Sequence, residues 1–391
     1  STLDRSSAAS DVYKRQEDVP EPFTNIGPLQ LEYLMNTPQK KEIAWVNTLK
    51  GGCILLVVLY HVVLPGYAEM VSHLTAGLLP AKLWVAFNNT LSPLRMPAFF
   101  FVSGLLAANA ISNRPWKQVF TSRVTNLFYL YFLWGVIQWL MINGVSNNIM
   151  GDHLSDNINA AWAETPWQFL KLMLLAMSSS WYLYALGLFF LAAKLFRQQK
   201  TLVMLAAVLL NYAAVTKVIP GWGPESLSQY FIFFLFGSFY SAILIRWSEW
   251  RRDNVLPWMV LLALSLVHIW LGLDKSLFLC VLAILGCIAA CRLLNQYFSM
   301  KWLNWVGKNT LQIYVLHRIF IEFFGMSAIL FAVSHQLFAS KAFSMLWAIA
   351  FPLVMVGLCV ACSVGIWTLL NRGWGKSLFI YPKLLRMKFD S

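Results

Sequence analysis

Long apolar runs separated by short polar segments make up most of the chain from residue 44 onwards. Broken at glycine, proline and charge, they predict about ten helices of the length that crosses a bilayer, roughly 20 residues. The predicted spans are 44–64, 84–111, 124–143, 168–196, 201–219, 228–245, 256–272, 275–294, 308–332 and 343–370. The fourth run is long, and Ser178-Ser179-Ser180 marks a point where it can break. The pattern predicts an all-α, polytopic membrane helix bundle.

Composition excludes a soluble protein. The chain has 391 residues, of which 59% are hydrophobic and 12% charged, whereas about 25% are charged in a typical soluble domain. Its mean hydropathy is +0.60. The six cysteines lie in or beside apolar runs without the spacing of a metal site, so we interpret them as packing residues and predict no metal.

The basic residues predict the orientation of the bundle. The formal net charge is +13, which can indicate nucleic-acid binding, but here the charge lies in short loops between apolar runs. We therefore expect contact with anionic lipids and no nucleic-acid partner. Twelve basic residues follow even-numbered spans, namely Arg114, Lys117, Arg123, Lys194, Arg197, Lys200, Arg246, Arg251, Arg252, Arg292, Lys301 and Lys308. The opposite loops hold four, namely Lys82, Lys217, Lys275 and Lys341, so both termini are predicted to be cytoplasmic.

The two ends of the chain are predicted to lie outside the bundle. Residues 1–16, "STLDRSSAASDVYKRQ", have no apolar core and are interpreted as a cloning or sequence-assembly scar rather than a signal peptide. Residues 1–42 as a whole are predicted to be a disordered lead, rich in proline after residue 16. The membrane domain is predicted to span 43–372, followed by a basic cytoplasmic tail at 373–391.

Two ionisable residues in the first span indicate a functional cavity. Lys50 and His61 are eleven residues apart, which is about three helical turns, so both lie on one face and about 16 Å apart along the axis. Lys50 would lie at the cytoplasmic rim, where an anionic ligand arrives, and His61 deeper. The alternative is that Lys50 extends to the lipid headgroups and His61 is a rim histidine bonded to a neighbouring helix.

A third candidate is Arg95, in the segment "SPLRMPAFFFVSG". Pro93 and Pro97 are expected to break the helix and free carbonyl groups. An arginine inside such a break predicts a buried anion or carboxylate partner. The alternative is a kinked helix with an interfacial arginine anchor.

The ninth span contains three ionisable residues in "GKNTLQIYVLHRIFIEFF". Arg318 and Glu322 have the i,i+4 spacing of an intrahelical ion pair, and we favour that interpretation over catalysis. His317 is a second imidazole in the middle of the membrane, and charged or titratable groups at this depth are usually functional.

Taken together, these segments resemble the acyltransferase-3 family of bacterial inner-membrane proteins. The family's first span has Leu-Arg-Gly and a histidine with ten residues between arginine and histidine, and this chain has Leu49-Lys50-Gly51 and His61. The family's phenylalanine pair before Ser-Gly corresponds to Phe100-Phe101-Val102-Ser103-Gly104. Its late Ser/Thr, Tyr, Leu, His pattern corresponds to Thr310 and Ile313-Tyr314-Val315-Leu316-His317. The resemblance covers about residues 43–372, and ten spans is the family's core number.

The resemblance implies transfer of an acyl group, expected to be acetyl, from cytoplasmic acyl-CoA to a hydroxyl of an extracytoplasmic or lipid-linked cell-envelope glycan. It implies a bacterial inner-membrane location. Lys50 and Arg123 would bind the CoA phosphates, His61 would act as general base, and Arg95 would stabilise the oxyanion or bind the acceptor. His317 would orient His61 or contact substrate, and Ser103 is either an acyl relay or a packing residue.

Two departures from the family pattern affect donor binding. Lys50 replaces the family's arginine and loses its bidentate fork while keeping a cation. Asn126 stands where a second arginine is expected after Arg123. The alternative functions are a transporter or flippase for a small anion or glycan, and a non-catalytic relative of the acyltransferases.

Overall fold

The computed structural model describes residues 44–145, 158–273 and 275–382, and all regular structure within these ranges is helical. The predicted lead 1–42 lies outside them, as do the last nine residues of the predicted tail. The helices up to residue 215 are α1 (Ala44–Val62), α2 (Leu78–Thr90), α3 (Ser92–Ser112), α4 (Thr125–Val145), α5 (Pro166–Leu174), α6 (Trp181–Leu195) and α7 (Lys200–Val215). The later helices are α8 (Trp222–Phe239), α9 (Ser241–Trp247), α10 (Val255–Trp270), α11 (Leu277–Tyr297), α12 (Lys301–Lys308), α13 (Thr310–Phe320), α14 (Met326–Ser334) and α15 (Lys341–Leu370).

Seven helical runs in the described part of the chain are long and apolar enough to cross a membrane. They are Ala44–Val62, Ser92–Ser112, Trp116–Gly144, Arg252–Trp270, Leu277–Tyr297, Thr310–Ser334 and Lys341–Leu370. An eighth run is formed if α8 and α9, which meet at 88°, are one bent span. The shorter apolar helices α6 and α7 fall within the predicted spans four and five. The structure confirms a polytopic helical membrane protein, while the count of ten and the direction of the termini stay predictions.

Three predicted spans contain breaks, and the sequence indicated two of them, in spans four and two. Span four is interrupted between α5 and α6, and this interruption includes the three serines. The break in span two, predicted at Pro93 and Pro97, lies just before Pro93, because α2 ends at Thr90 and α3 starts at Ser92 with Pro93 in its first turn. Pro97 lies inside the continuous α3, so the prediction that it also breaks the helix is wrong. Span six bends at Tyr240, three residues after Gly237, and this break was not predicted.

Helix α1 lies at the centre of the bundle and packs against α3, α11, α12, α13 and α15. Helices α3 and α8 cross in close contact at two glycines. A Cβ atom on Gly104 would lie 2.1 Å from the Phe234 carbonyl oxygen, and one on Gly237 would lie 2.0 Å from the Phe101 carbonyl oxygen. The glycine of the Phe-Phe-Val-Ser-Gly segment is therefore required because the two backbones touch there.

We expect Gly104→Ala to destabilise the protein by about 1–3 kcal/mol, since a backbone must move to admit the methyl group. The measurement is the free energy of unfolding in detergent, with tryptophan fluorescence as the probe of unfolding. Gly365→Ala is the matched control, because its Cβ would meet nothing within 4 Å on α15. Equal stability of the two variants would contradict the close crossing of α3 and α8.

Lys194 and Arg197, two of the basic residues used to predict the topology, bind the C-terminal end of α3. Lys194 is 1% exposed and donates from Nζ to the carbonyls of Ala110 and Ile111 at 3.1 and 3.2 Å and of Arg114 at 2.7 Å. Arg197 donates to the Ser112 carbonyl at 3.2 Å. The last carbonyls of a helix have no partner within it and carry partial negative charge, which these cations neutralise. They fix span four to the end of span two.

The described part of the predicted C-terminal tail packs against α4. Tyr129 Oη and Trp134 Nε1 donate to the carbonyls of Ser377 and Leu378 at 2.9 and 2.7 Å. The Tyr381 amide donates to Asn126 Oδ1 at 2.8 Å. Asn126, which departs from the family pattern, therefore has a structural partner in this chain. Packing of the bundle continues beyond residue 372.

Candidate active site

The two histidines singled out in the sequence meet in the bundle. His61 lies at the end of α1 and His317 near the end of α13, and their ring centroids are 5.3 Å apart. His317 is 1% exposed, while His61 is half-buried. Within the described residues, no third His, Cys, Asp or Glu joins them in a group that could hold a metal ion. Two imidazoles in contact are suited to proton transfer.

Hydrogen bonds define the proton positions of His317. Its Nδ1 lies 2.7 Å from the Tyr314 carbonyl oxygen and 3.1 Å from that of Ile313. A carbonyl oxygen only accepts, so Nδ1 carries the proton and Nε2 of the neutral ring carries the lone pair. This Nε2 is buried and has no hydrogen-bond partner among the described residues. It is a proton acceptor held beside His61.

The break in span four contacts Tyr314, which lies one helical turn before His317 on α13. Tyr314 donates from Oη to the Ser179 carbonyl at 3.1 Å and accepts from the Tyr182 amide at 3.1 Å. Gln138 on α4 donates to the Val315 carbonyl at 2.8 Å and accepts from the Ser180 hydroxyl at 3.1 Å. Interrupted membrane helices expose backbone groups that need such partners. These contacts hold α13 against α4 and the start of α6.

Sequence reasoning missed these positioning residues. Tyr314 appeared only as part of a pattern, and Gln138 was not singled out. The serine run was the one available signal, because it marked the break, but a single sequence does not show which other helix satisfies the freed groups.

Ser103 has the hydrogen bonds of a packing residue. Its hydroxyl donates to the Phe99 carbonyl at 2.9 Å and shares a 2.5 Å hydrogen bond with the Tyr182 hydroxyl. We expect Ser103→Ala to retain transfer activity within about tenfold, since a neutral hydrogen bond contributes about 0.5–1.5 kcal/mol. The measurement is the initial rate of acyl transfer, with the buried Ser363→Ala as control. Complete loss of activity, together with a hydroxylamine-labile acyl group on the wild-type protein, would instead make Ser103 an acyl relay.

Arg95 is 6% exposed and lies in the first turn of α3. Its Nη1 donates to the Asn88 carbonyl at 2.6 Å and lies 3.5 Å from Asn88 Oδ1. The carbonyl is available because α2 ends two residues later. The guanidinium carbon lies 4.4 Å from the centre of the Tyr60 ring. Among the described residues, the contacts of Arg95 are with the neutral Asn88 and Tyr60. Of the two predicted partners, a carboxylate of the protein is therefore not found there, and a bound anion stays a prediction.

Arg318 and Glu322 form the predicted ion pair, with Nη2 and Oε2 3.2 Å apart. The two residues are 4% and 1% exposed, and the guanidinium lies 5.4 Å from the Trp162 ring centre. Arg318 and Arg95 are both within electrostatic reach of His61. The charge of Arg318 is compensated by Glu322, whereas Arg95 keeps its full positive charge.

The structure places Lys50 and Arg123 away from the histidine pair. Helix α1 is continuous from Lys50 to His61, so their separation is about 16 Å along the axis. Arg123 is fifteen residues before Gln138 on the helical run 116–144, or about 22 Å. Since Gln138 contacts the residues beside His317, Arg123 lies towards the opposite end of the bundle. His61, Arg95 and His317 form one cluster, and the two predicted donor-binding cations lie outside it.

These features define a multi-pass helical membrane protein with a buried histidine pair and an uncompensated arginine. The profile of the acyltransferase domain family, acyltransferase-3, matches residues 43–372, so the chain belongs to this family. It is similar to the inner membrane protein YcfT of Escherichia coli strain K12, with 32% identity over 357 residues, 88% of this chain and 98% of YcfT. No solved structure matches the chain. The resemblance inferred from the sequence is confirmed, and the protein is a membrane acyltransferase.

Proposed function

We propose that this protein transfers an acyl group, acetyl in the first instance, from cytoplasmic acyl-CoA to a hydroxyl of an extracytoplasmic or lipid-linked glycan, in a bacterial inner membrane. The observation that carries the proposal is the contact between His61 and the buried His317. His61 lies at one end of α1, and Lys50 lies near the other end of the same helix. A base at one end and a cation at the other suit a donor whose phosphates and thioester are far apart.

In this mechanism the CoA phosphates bind at Lys50 with help from Arg123. The extended pantetheine arm bridges the separation of about 16 Å between Lys50 and His61 along α1. The arm brings the thioester carbonyl to the histidines. Donor and acceptor thus approach from opposite ends of the bundle.

The chemical step begins when His61 accepts the proton of the acceptor hydroxyl. The oxygen attacks the thioester carbonyl, the carbon–sulfur bond of the tetrahedral intermediate breaks, and the CoA thiolate receives the proton from His61. The Nε2 atom of His317 accepts a hydrogen bond from the protonated His61 ring and orients it. Arg95 favours negative charge beside His61, whether on the thioester oxygen in the transition state or on the acceptor.

The test is transfer of radiolabel from [acetyl-¹⁴C]acetyl-CoA by the purified protein in lipid vesicles, with a panel of membrane glycans as acceptors. Incorporation into a glycan, with release of one CoA per acetyl group, supports the proposal. If acetyl-CoA neither binds nor reacts, the same assay is repeated with succinyl-CoA. Failure with both donors, together with movement of a labelled anion or glycan across the vesicle membrane, would overturn it in favour of a transporter.

A further inference from the structure

The charge of Arg95 is left without a counter-charge in the described part of the protein. Asn88 provides a backbone and a side-chain oxygen, and Tyr60 provides an aromatic face. Both of these oxygens lie on the side of Nη1. By contrast, the neighbouring Arg318 is paired with Glu322. A buried cation with neutral partners attracts an anion strongly, because little water screens it.

The position of Arg95 separates it from the proposed donor phosphates. The Arg95 guanidinium lies 4.4 Å from the centre of the Tyr60 ring, which contacts the His61 ring. Lys50 lies about 16 Å from His61 along α1. The phosphates of CoA at Lys50 therefore do not neutralise Arg95. A transient oxyanion on the thioester would do so only during the reaction, and it would contribute no affinity to either ground-state substrate.

Aromatic side chains lie on one side of the guanidinium. Tyr60 and Tyr230 both lie within its electrostatic reach, and Tyr60 is the ring over which it stacks. Tyr230 lies beside Trp181, with ring centroids 5.8 Å apart. These three aromatic residues are only half-buried, although Phe100, which contacts two of them, is fully buried. Aromatic faces beside a few polar groups are typical of sites that bind a ring-shaped ligand.

We propose that Arg95, Tyr60 and Tyr230 form the acceptor subsite and bind a saccharide that carries a carboxylate or phosphate group. The anionic group pairs with Arg95, the sugar ring contacts the tyrosines, and a hydroxyl of the same molecule reaches His61. The identification of this ligand as the acceptor rests on the proposed function. The binding preference for an anionic saccharide does not.

The test is equilibrium binding to the detergent-solubilised full chain without acyl-CoA, with glucose, glucuronate, glucose 6-phosphate and inorganic phosphate as probes. We expect at least one of the two anionic sugars to bind about 10- to 100-fold more tightly than glucose, the range for one charge-assisted hydrogen bond. Arg95→Gln should abolish the preference, and Arg95→Lys should retain part of it. Arg251→Gln is the matched control. Arg251 has an exposed side chain paired with Glu249, and it lies 156 residues after Arg95 in the chain.

Equal affinities of the wild-type protein for glucose and both anionic sugars would overturn the proposal, even if Arg95→Gln failed to fold. Inorganic phosphate binding as tightly as glucose 6-phosphate would overturn the assignment to a saccharide. Selective binding without any acetyl transfer would support the subsite and refute the proposed function. Transfer to neutral glycans without selective binding would support the proposed function and refute the subsite.

Discussion

Replacing His61 with alanine is expected to lower the rate of acetyl transfer by about 10²- to 10⁴-fold, the contribution of a positioned general base. The ring is half-buried and the described residues show no hydrogen bond to it, so its removal should leave the helix packing intact. The measurement is the initial rate of label transfer at saturating acetyl-CoA. Thermal unfolding of the same preparation tests whether the variant is folded.

His73→Ala is the matched control for this prediction. His73 is exposed in a short helical turn after α1 and is expected to leave the rate unchanged. His317→Ala should also slow transfer, because it removes the acceptor atom beside His61. If the two histidines act as one unit, the double variant should lose no more than His61→Ala alone. Transfer by a folded His61→Ala protein at a rate close to the wild type would remove His61 from the mechanism.

Local pattern was sufficient to predict most of the helices. Membrane spans need long apolar runs, and these stand out in any sequence. The ion pair between Arg318 and Glu322 was also predictable, because both partners lie on one helix and its spacing alone brings them together. The separation of Lys50 and His61 follows from helix geometry in the same way.

The site itself depends on contacts between distant helices, which a single sequence does not encode in readable form. The spacing of Lys50 and His61 predicted a cavity. It did not predict that His317, which lies 256 residues further along the chain, contacts His61. The Asn88 carbonyl was not foreseen as a partner of Arg95, because α2 ends at Thr90, before the two prolines that marked the break in the sequence. With the helix ending there, the Asn88 carbonyl becomes the natural acceptor.

The bend at Tyr240 shows a second limit of local reasoning. Gly237 and Ser238 lie just before the bend, but the apolar run resumes after it, so the sequence was interpreted as one span. The preceding helix is bound tightly to α3 at Gly237, so α8 keeps the direction set by that crossing. The chain changes direction as soon as the close contact ends. A single sequence shows neither this crossing nor the bend that follows it.

Neutralising Glu322 is expected to have the largest effect on stability. Glu322→Gln leaves the guanidinium of Arg318 buried without its carboxylate, and breaking a buried ion pair costs about 3–5 kcal/mol. The measurement is the unfolding free energy in mixed detergent micelles, with Glu225→Gln as control. Glu225 pairs with Lys217, whose side chain is 71% exposed, so that control should lose no more than about 1 kcal/mol.

The double variant Arg318→Met/Glu322→Leu separates the cost of an orphaned charge from the value of the pair. With both charges gone, most of the lost stability should return, because apolar side chains of similar size often replace a buried pair without penalty. A loss below 1 kcal/mol for Glu322→Gln would contradict the buried pair. A double variant that is stable but inactive would show that the pair contributes its charge to catalysis at His61, since packing and folding would then be intact.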